Sequence, residues 1–175
     1  MADSNKLKES LLKTISALKE NPSNAKVYFN ADTELVDGFI TRSQVRQFHF
    51  TVDEPKQLGG TDTAPNPVEY VLAALGTCQE IVYKAYATVL EIPLDSVKVH
   101  VKGSLDLRGL FAIDDNINAG FQEIIYETEL VSSAEQSKLH TLINLVEKKC
   151  PVLDTLTRKI PVKGNVKINN VAAAA

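Results

Sequence analysis

The chain has no tryptophan, one methionine, three histidines and two cysteines among its 175 residues. Each scarcity excludes a class of function. Zinc sites draw on four ligands, commonly grouped in CxxC or HxxxH clusters. Here His49, His100 and His140 are scattered and the two cysteines are isolated, so no metal site is expected. There is no GxGxxG or GxxxxGK phosphate loop and no GxSxG elbow, which sets aside nucleotide binding and serine hydrolysis. Basic residues are not in excess: 19 Lys and Arg face 22 Asp and Glu, and a formal net charge of −3 argues against nucleic acid or an anionic membrane as partner. Long apolar runs are missing too. The most apolar window, residues 68–92, is broken by Glu69, Gln79, Glu80 and Lys84, so no membrane span is expected. The first twenty residues lack the apolar core of a signal peptide. The expected setting is the cytoplasm, where a lasting structural disulfide is not expected.

What remains is an ordinary globular composition, 44% hydrophobic and 23% charged, long enough for one sizeable domain. The expected organisation is an N-terminal amphipathic helix within residues 1–24, one domain over 25–170 and a flexible tail over 171–175. In the first helix, Ser4 to Glu20, the residues Leu7, Leu11, Ile15 and Leu18 recur at helical spacing. Asp3 or Ser4 caps it, and Pro22 ends it. Residues 25–53 read as β structure, where the stretches 25–29, 33–36, 39–46 and 46–53 supply two or three strands. In one unbroken strand Arg42, Arg46, Phe48, Phe50 and Val52 would share a face; a bulge near Ser43–Gln44 would instead shift the register and leave both arginines in solvent.

"KQLGGTDTAPNP" is a loop, after which Asn66 caps and Pro67 opens a long helix reaching about Leu90. That helix is apolar nearly all round, which implies burial on most sides, either inside a wrapping sheet or against a partner subunit. Gly76 within it costs about 1 kcal/mol relative to Ala, so another backbone is expected close by. "SVKVHVKGSLDLRG" and "GFQEIIYETELVSS" read as strands. Ser133 and Gln136 form a capping-box pattern for a second helix, "CPVLDTLTRK" reads as a short helix or turn, and "IPVKGNVKI" as a closing strand.

The chemistry rests on the two thiols. Cys78, in the middle of the long helix, is either a small buried hydrophobe or a reactive thiol. Its apolar neighbours raise its pKa, and a mid-helix position gains nothing from a helix N-terminus. Reactivity therefore needs a cation from elsewhere, such as Arg42 or Arg46. Cys150 precedes Pro151 and so closes one helix while standing at the start of the next. The first role raises a thiol's pKa and the second lowers it.

Two stretches carry a resemblance. "LGGTDTAPNPVEYVLAALGTC" and "KKCPVLDTL", with their cysteines at positions 78 and 150, are similar to the OsmC/Ohr family of thiol-dependent peroxidases. The likeness runs from about Val27 to Ile168. It implies an α+β fold in which antiparallel sheets wrap long central helices in an intertwined homodimer, with active sites at the interface. It implies a peroxidatic thiolate at Cys78 that reduces a small organic hydroperoxide and a resolving thiol at Cys150 that closes a disulfide. A dithiol, in related proteins often lipoyl-linked, would reopen it. No cofactor is implied. The family's activating arginine comes from the N-terminal sheet, where Arg42 and Arg46 lie. Its orienting glutamate follows the helix-opening proline; here Val68 stands there and the nearest carboxylate is Glu69, with Asp53 and Glu54 as alternatives. Glu69 precedes Cys78 by nine residues, about 180° round a helix. The same fold used as a non-catalytic small-ligand module with reactive thiols is the alternative.

Overall fold

A computed structural model describes residues 4–169 and 171–172. Asp3, one of the two expected caps of the first helix, and residues 173–175 of the expected tail lie outside the described residues. The first helix, α1 (Ser4–Glu20), rests on the rest of the chain through half-buried Leu7 and Leu11, and the Lys8 ammonium pairs with Glu91. Its outer residues Leu12, Ile15 and Leu18 stay exposed.

Residues 22–25 form a 3-10 turn and the chain then runs unpaired to residue 31, so the strand expected over 25–29 does not form. Three antiparallel strands follow: β1 (Asp32–Asp37), β2 (Ile40–Val45) and β3 (Phe48–Val52). The expected bulge near Ser43–Gln44 is absent. Pairing of β2 with β3 runs without a break from Thr41↔Val52 to Val45↔Phe48, and the chain reverses at Arg46–Gln47. Arg46 there has φ 56, a left-handed conformation that glycine or asparagine usually supplies. Residues opposite each other share a face. Ser43 lies opposite Phe50 and Arg42 opposite Thr51, so Arg42 stands on the face away from Phe48, Phe50 and Val52. The single-face reading of these residues is therefore corrected by the turn.

The long helix, α2 (Pro67–Val89), opens as its sequence demands. Asn66 Oδ1 accepts from Glu69 N at 2.9 Å while Glu69 Oε2 accepts from Asn66 N at 2.8 Å, a reciprocal capping box with Pro67 in the first turn. On one side α2 packs against β4 (Ser96–Leu105), the partner of the antiparallel strand β5 (Phe121–Val131). Val97, Val99 and Val101 turn inward, while Lys98, His100 and Lys102 stay exposed. Gly76 is buried against this strand. A Cβ on it would sit 3.4 Å from Val101 Cγ2 and 3.6 Å from the Val99 carbonyl oxygen, which is ordinary contact, so the close approach exists but leaves room for a methyl.

Between β4 and β5 lies a loop carrying the single turn α3 (Leu107–Leu110), with exposed Phe111 and Ile113. The next helix, α4 (Gln136–Lys149), starts later than the Ser133 pattern suggests: Glu135 occupies the cap position without a side-chain bond, and Ser132 Oγ instead accepts from Ala134 N. The helix α5 (Pro151–Thr157) follows at once. Leu142 and Val146 of α4 meet Tyr83, Ala87 and Ile92 in the main core. The expected closing strand is reduced to β6 (Lys167–Ile168), paired with β7 (Val171–Ala172). Pro161, which has no N–H to give a ladder, and Gly164 explain why the preceding residues carry no regular structure.

The opposite side of α2 is open: Ala73, Ala74, Thr77 and Ile81 are exposed, Ile81 to 69%. The three-stranded sheet is open too, with Phe48 and Leu35 exposed on its apolar face. The chain presents 13702 Å² to solvent. A compact monomer of its mass, 19.2 kDa, exposes about 8,400 Å². Roughly 5,000 Å² more surface is bare than a self-contained fold of this size leaves.

Candidate active site

Two breaks in regular structure bring the cysteines together. Pro151 disfavours helical geometry at the residue before it, so α4 ends at Cys150, which has φ −70 and ψ 113. Pro151 then suits the first turn of α5, making Cys150 the C-cap of α4 and the N-cap of α5. This corner lies on α2 beside Cys78. The two sulfurs are 3.4 Å apart, Cys150 donating its S–H toward Cys78 Sγ. Both thiols are free; Cys150 is fully buried and Cys78 half-buried.

Burial pushes the Cys78 thiol above its ordinary value, opposed by the backbone N–H of Val152, in the first turn of α5. The neighbouring Cys150 adds to the upward shift. A donated S–H favours a thiolate on its acceptor, so contact with Cys150 pulls both ways; loss of water decides the sign. Within one chain, then, Cys78 lies against a second thiol, and burial favours its protonated form.

The other expected site residues stand apart from this pair. Arg42 and Arg46 are exposed on the three-stranded sheet, Arg46 with its guanidinium 5.0 Å from the Phe48 ring centroid. Among the described residues neither forms an ion pair nor bonds either sulfur. Glu69 is held in the capping box of α2. Glu54 Oε2 accepts from Asn66 Nδ2 at 3.3 Å, and Asp53 is held by two threonines. Sequence reasoning missed the Val152 N–H. The Cys-Pro step was the signal for it, since a proline opening a helix leaves the next residues' N–H groups without carbonyl partners. Among the described residues no cluster of His, Cys, Asp or Glu suits a metal ion, and no helix is long and apolar enough to cross a membrane.

A family model described as OsmC-like protein matches residues 60–165, which span α2, both cysteines and α5. The chain belongs to the OsmC family. Its structure is similar to that of an OsmC-like protein from Mycoplasma pneumoniae, with TM-score 0.65, 22% identity and coverage of 75% of this chain and 88% of that one. An OsmC-like protein from Vibrio cholerae gives TM-score 0.63 at 11% identity, covering 75% and 95%. A Legionella pneumophila OsmC, named as an organic hydroperoxide resistance protein, gives 0.57 at 18%, covering 75% and 92%. At these identities the likeness is one of fold: the α+β arrangement of antiparallel sheets and helices is that of the OsmC family. No curated protein matches the chain. The helix α1 lies outside the matched residues.

Proposed function

We propose that the protein is a thiol-dependent peroxidase acting on small organic hydroperoxides through Cys78 and Cys150. The observation that carries this reading is the 3.4 Å sulfur pair in which only Cys78 is open to solvent. The Cys78 thiolate attacks the distal peroxide oxygen; an S–O bond forms, the O–O bond breaks, and the alkoxide leaves as an alcohol on protonation. Cys78 is then a sulfenic acid. Cys150 attacks it, the S–O bond breaks, water leaves and a disulfide remains. The sulfurs must close by about 1.4 Å to reach bonding distance. A dithiol reductant of the lipoyl class returns the electrons. With Cys150 fully buried, a thiolate of the reductant attacks Cys78 Sγ, the S–S bond breaks and Cys150 leaves as a thiolate that takes up a proton; the reductant's second thiol then attacks the mixed disulfide and releases Cys78, so access fixes the order of steps.

The site is completed by a second copy in this reading. Obligate homodimers bury on the order of 2,000–5,000 Å² or more, and the exposed apolar residues Ile81 on α2 and Leu35, Phe48 and Phe50 on the three-stranded sheet suit such a contact. If the sheet's apolar face docks on a partner, Arg46 travels with that face and Arg42 does not, because Arg42 lies on the other side opposite Glu34. Arg46 is therefore the arginine we assign to thiolate activation, reaching the partner's pair. Strain at its left-handed φ fits a functional position. A cytoplasmic setting belongs to this reading, since the pair must be returned to thiols between turnovers.

The binding-module alternative has an observation of its own. A cavity of about 520 Å³ at the start of α2 is lined by Val68, Leu72, Leu105, Leu110 and Phe121, with Glu54 at its rim, and Cys78 takes no part in it. Intact mass and free-thiol count after one equivalent of cumene hydroperoxide separate the two. The peroxidase reading expects rapid loss of both thiols with two mass units lost, and a trapped sulfenic acid in Cys150→Ser but not in Cys78→Ser. Two thiols unchanged over minutes would sink it.

A further inference from the structure

The three-stranded sheet is tied to its own chain almost only at its root. Among the described residues β1, β2 and β3 pair with one another, and none packs extensively on a helix or on β4 and β5. At the root, Tyr70 Oη donates to the Thr51 carbonyl at 2.9 Å and the Tyr70 ring lies 5.3 Å from that of Phe50. Immediately after β3 comes Asp53, 1% exposed. Its Oδ2 accepts from Thr61 N at 3.1 Å, Thr61 Oγ1 at 2.6 Å, Thr63 N at 3.1 Å and Thr63 Oγ1 at 3.0 Å. The backbone closes the same loop, Asp62 N donating to the Glu54 carbonyl at 3.1 Å and Asp53 N to that of Pro65 at 3.3 Å. The loop is so tight that a Cβ on Gly60 would stand 1.8 Å from the Glu54 carbonyl oxygen.

A carboxylate this buried, with no cation paired to it among the described residues, is an expensive way to hold a loop. Apolar packing would hold it too, but with less control of angle. Charge-assisted bonds from four donors to one oxygen fix a single geometry. That geometry fixes the direction in which β3 leaves α2, and therefore where the far end of the sheet, at Arg46 beyond the start of β3, comes to lie.

We propose that Asp53 is a positioning residue: the latch it forms with Thr61 and Thr63 sets the angle of the three-stranded sheet to α2, and so places Arg46 at the thiol pair of a second copy. The inference rests on the reading above, in which Arg46 serves the partner's Cys78. Asp53 touches neither substrate nor sulfur; it acts through Arg46.

The test is the rate of Cys78 alkylation by iodoacetamide as a function of pH, in full-length Cys150→Ser protein, with circular dichroism and sedimentation on every variant. Arg46→Gln is expected to slow alkylation at pH 7 about tenfold, by loss of the cation that favours the thiolate. Asp53→Asn is expected to slow it by a similar factor and to add nothing to Arg46→Gln in the double variant, as groups acting through one another do. Thr61→Ser with Thr63→Ser keeps both hydroxyls and the wild-type profile. Thr63→Val, which removes one of the four bonds, gives an intermediate loss and decides the matter if Asp53→Asn does not fold. Wild-type alkylation in folded, dimeric Asp53→Asn or Thr63→Val, with Arg46→Gln slowed, overturns the latch and leaves the peroxidase reading standing. Wild-type alkylation in Arg46→Gln overturns the latch together with the assignment of Arg46 to the partner's Cys78.

Discussion

Replacing Ile81 by alanine separates the folding of one chain from the pairing of two. Ile81 lies on the open side of α2 and is 69% exposed in the single chain. Its truncation removes almost nothing from the chain's own core, and alanine is the better helix former. Full burial of an isoleucine side chain stabilises by about 1.5–3 kcal/mol. The share still exposed corresponds to about 1–2 kcal/mol on covering by a partner. If the open side of α2 faces a second copy, as proposed above, two-fold symmetry places the side chain at the interface twice, giving about 2–4 kcal/mol per dimer. The dimer should therefore weaken roughly 30- to 1000-fold, with the unfolding of the isolated chain unchanged or slightly delayed. Sedimentation across nanomolar to micromolar concentrations reads the first, and a urea melt the second. A change of less than about threefold in the dimer constant, or a wild-type protein that sediments as a 19.2 kDa monomer at micromolar concentration, would refute the reasoning.

Gly76→Ala should stabilise by about 0.5–1 kcal/mol, because the helix gains its best former and the new methyl meets β4 at ordinary contact distance; a urea midpoint lower than wild type would show that the site tolerates no Cβ. Asn66→Ala breaks the capping box of α2 and should cost about 1 kcal/mol, lowering the thermal midpoint by about 2–4 °C. Asp53 predicts a signature in acid. Hydrogen bonds led by the Thr61 hydroxyl hold its carboxyl well below the usual carboxylate range, so its contribution is complete above the unfolded value and is lost as pH falls through that value toward the depressed one. Urea midpoints should thus fall on acidification more steeply in wild type than in Asp53→Asn, and parallel curves would contradict this.

Local signals were legible wherever one residue type settles one backbone geometry. Asn66, Pro67 and Glu69 specify the start of α2 from four adjacent positions, and Val97, Val99 and Val101 specify a half-buried strand by alternation alone. The break between the stretches 39–46 and 46–53 falls where the structure turns, but the tight reversal at Arg46–Gln47 was not legible, because it has none of the Asn-Gly chemistry that marks such turns, and the sheet register behind it decides which arginine is which. The Ser133–Gln136 pattern misled for a related reason: Ser132, a residue earlier, bonds Ala134 N and delays the helix. The apolar circumference of α2 reads as a demand for burial on most sides, which one chain meets on one side only. Contact between Cys78 and Cys150 lies beyond any local pattern, since packing of a helix corner on α2 creates it.

The same corner has a consequence for heat. A bond between Cys78 and Cys150 would close a loop of 72 residues. In the chain-entropy account such a crosslink disfavours the unfolded state by about 4 kcal/mol. It would pin α2 to the junction of α4 and α5, and α2 and α4 supply much of the core. The oxidised protein would then melt on the order of 10 °C above the reduced one. A peroxidase cycle of the kind proposed above would alternate between a looser thiol form and a tighter disulfide form, and a brief heat or protease challenge of cell extract would report which of the two prevails.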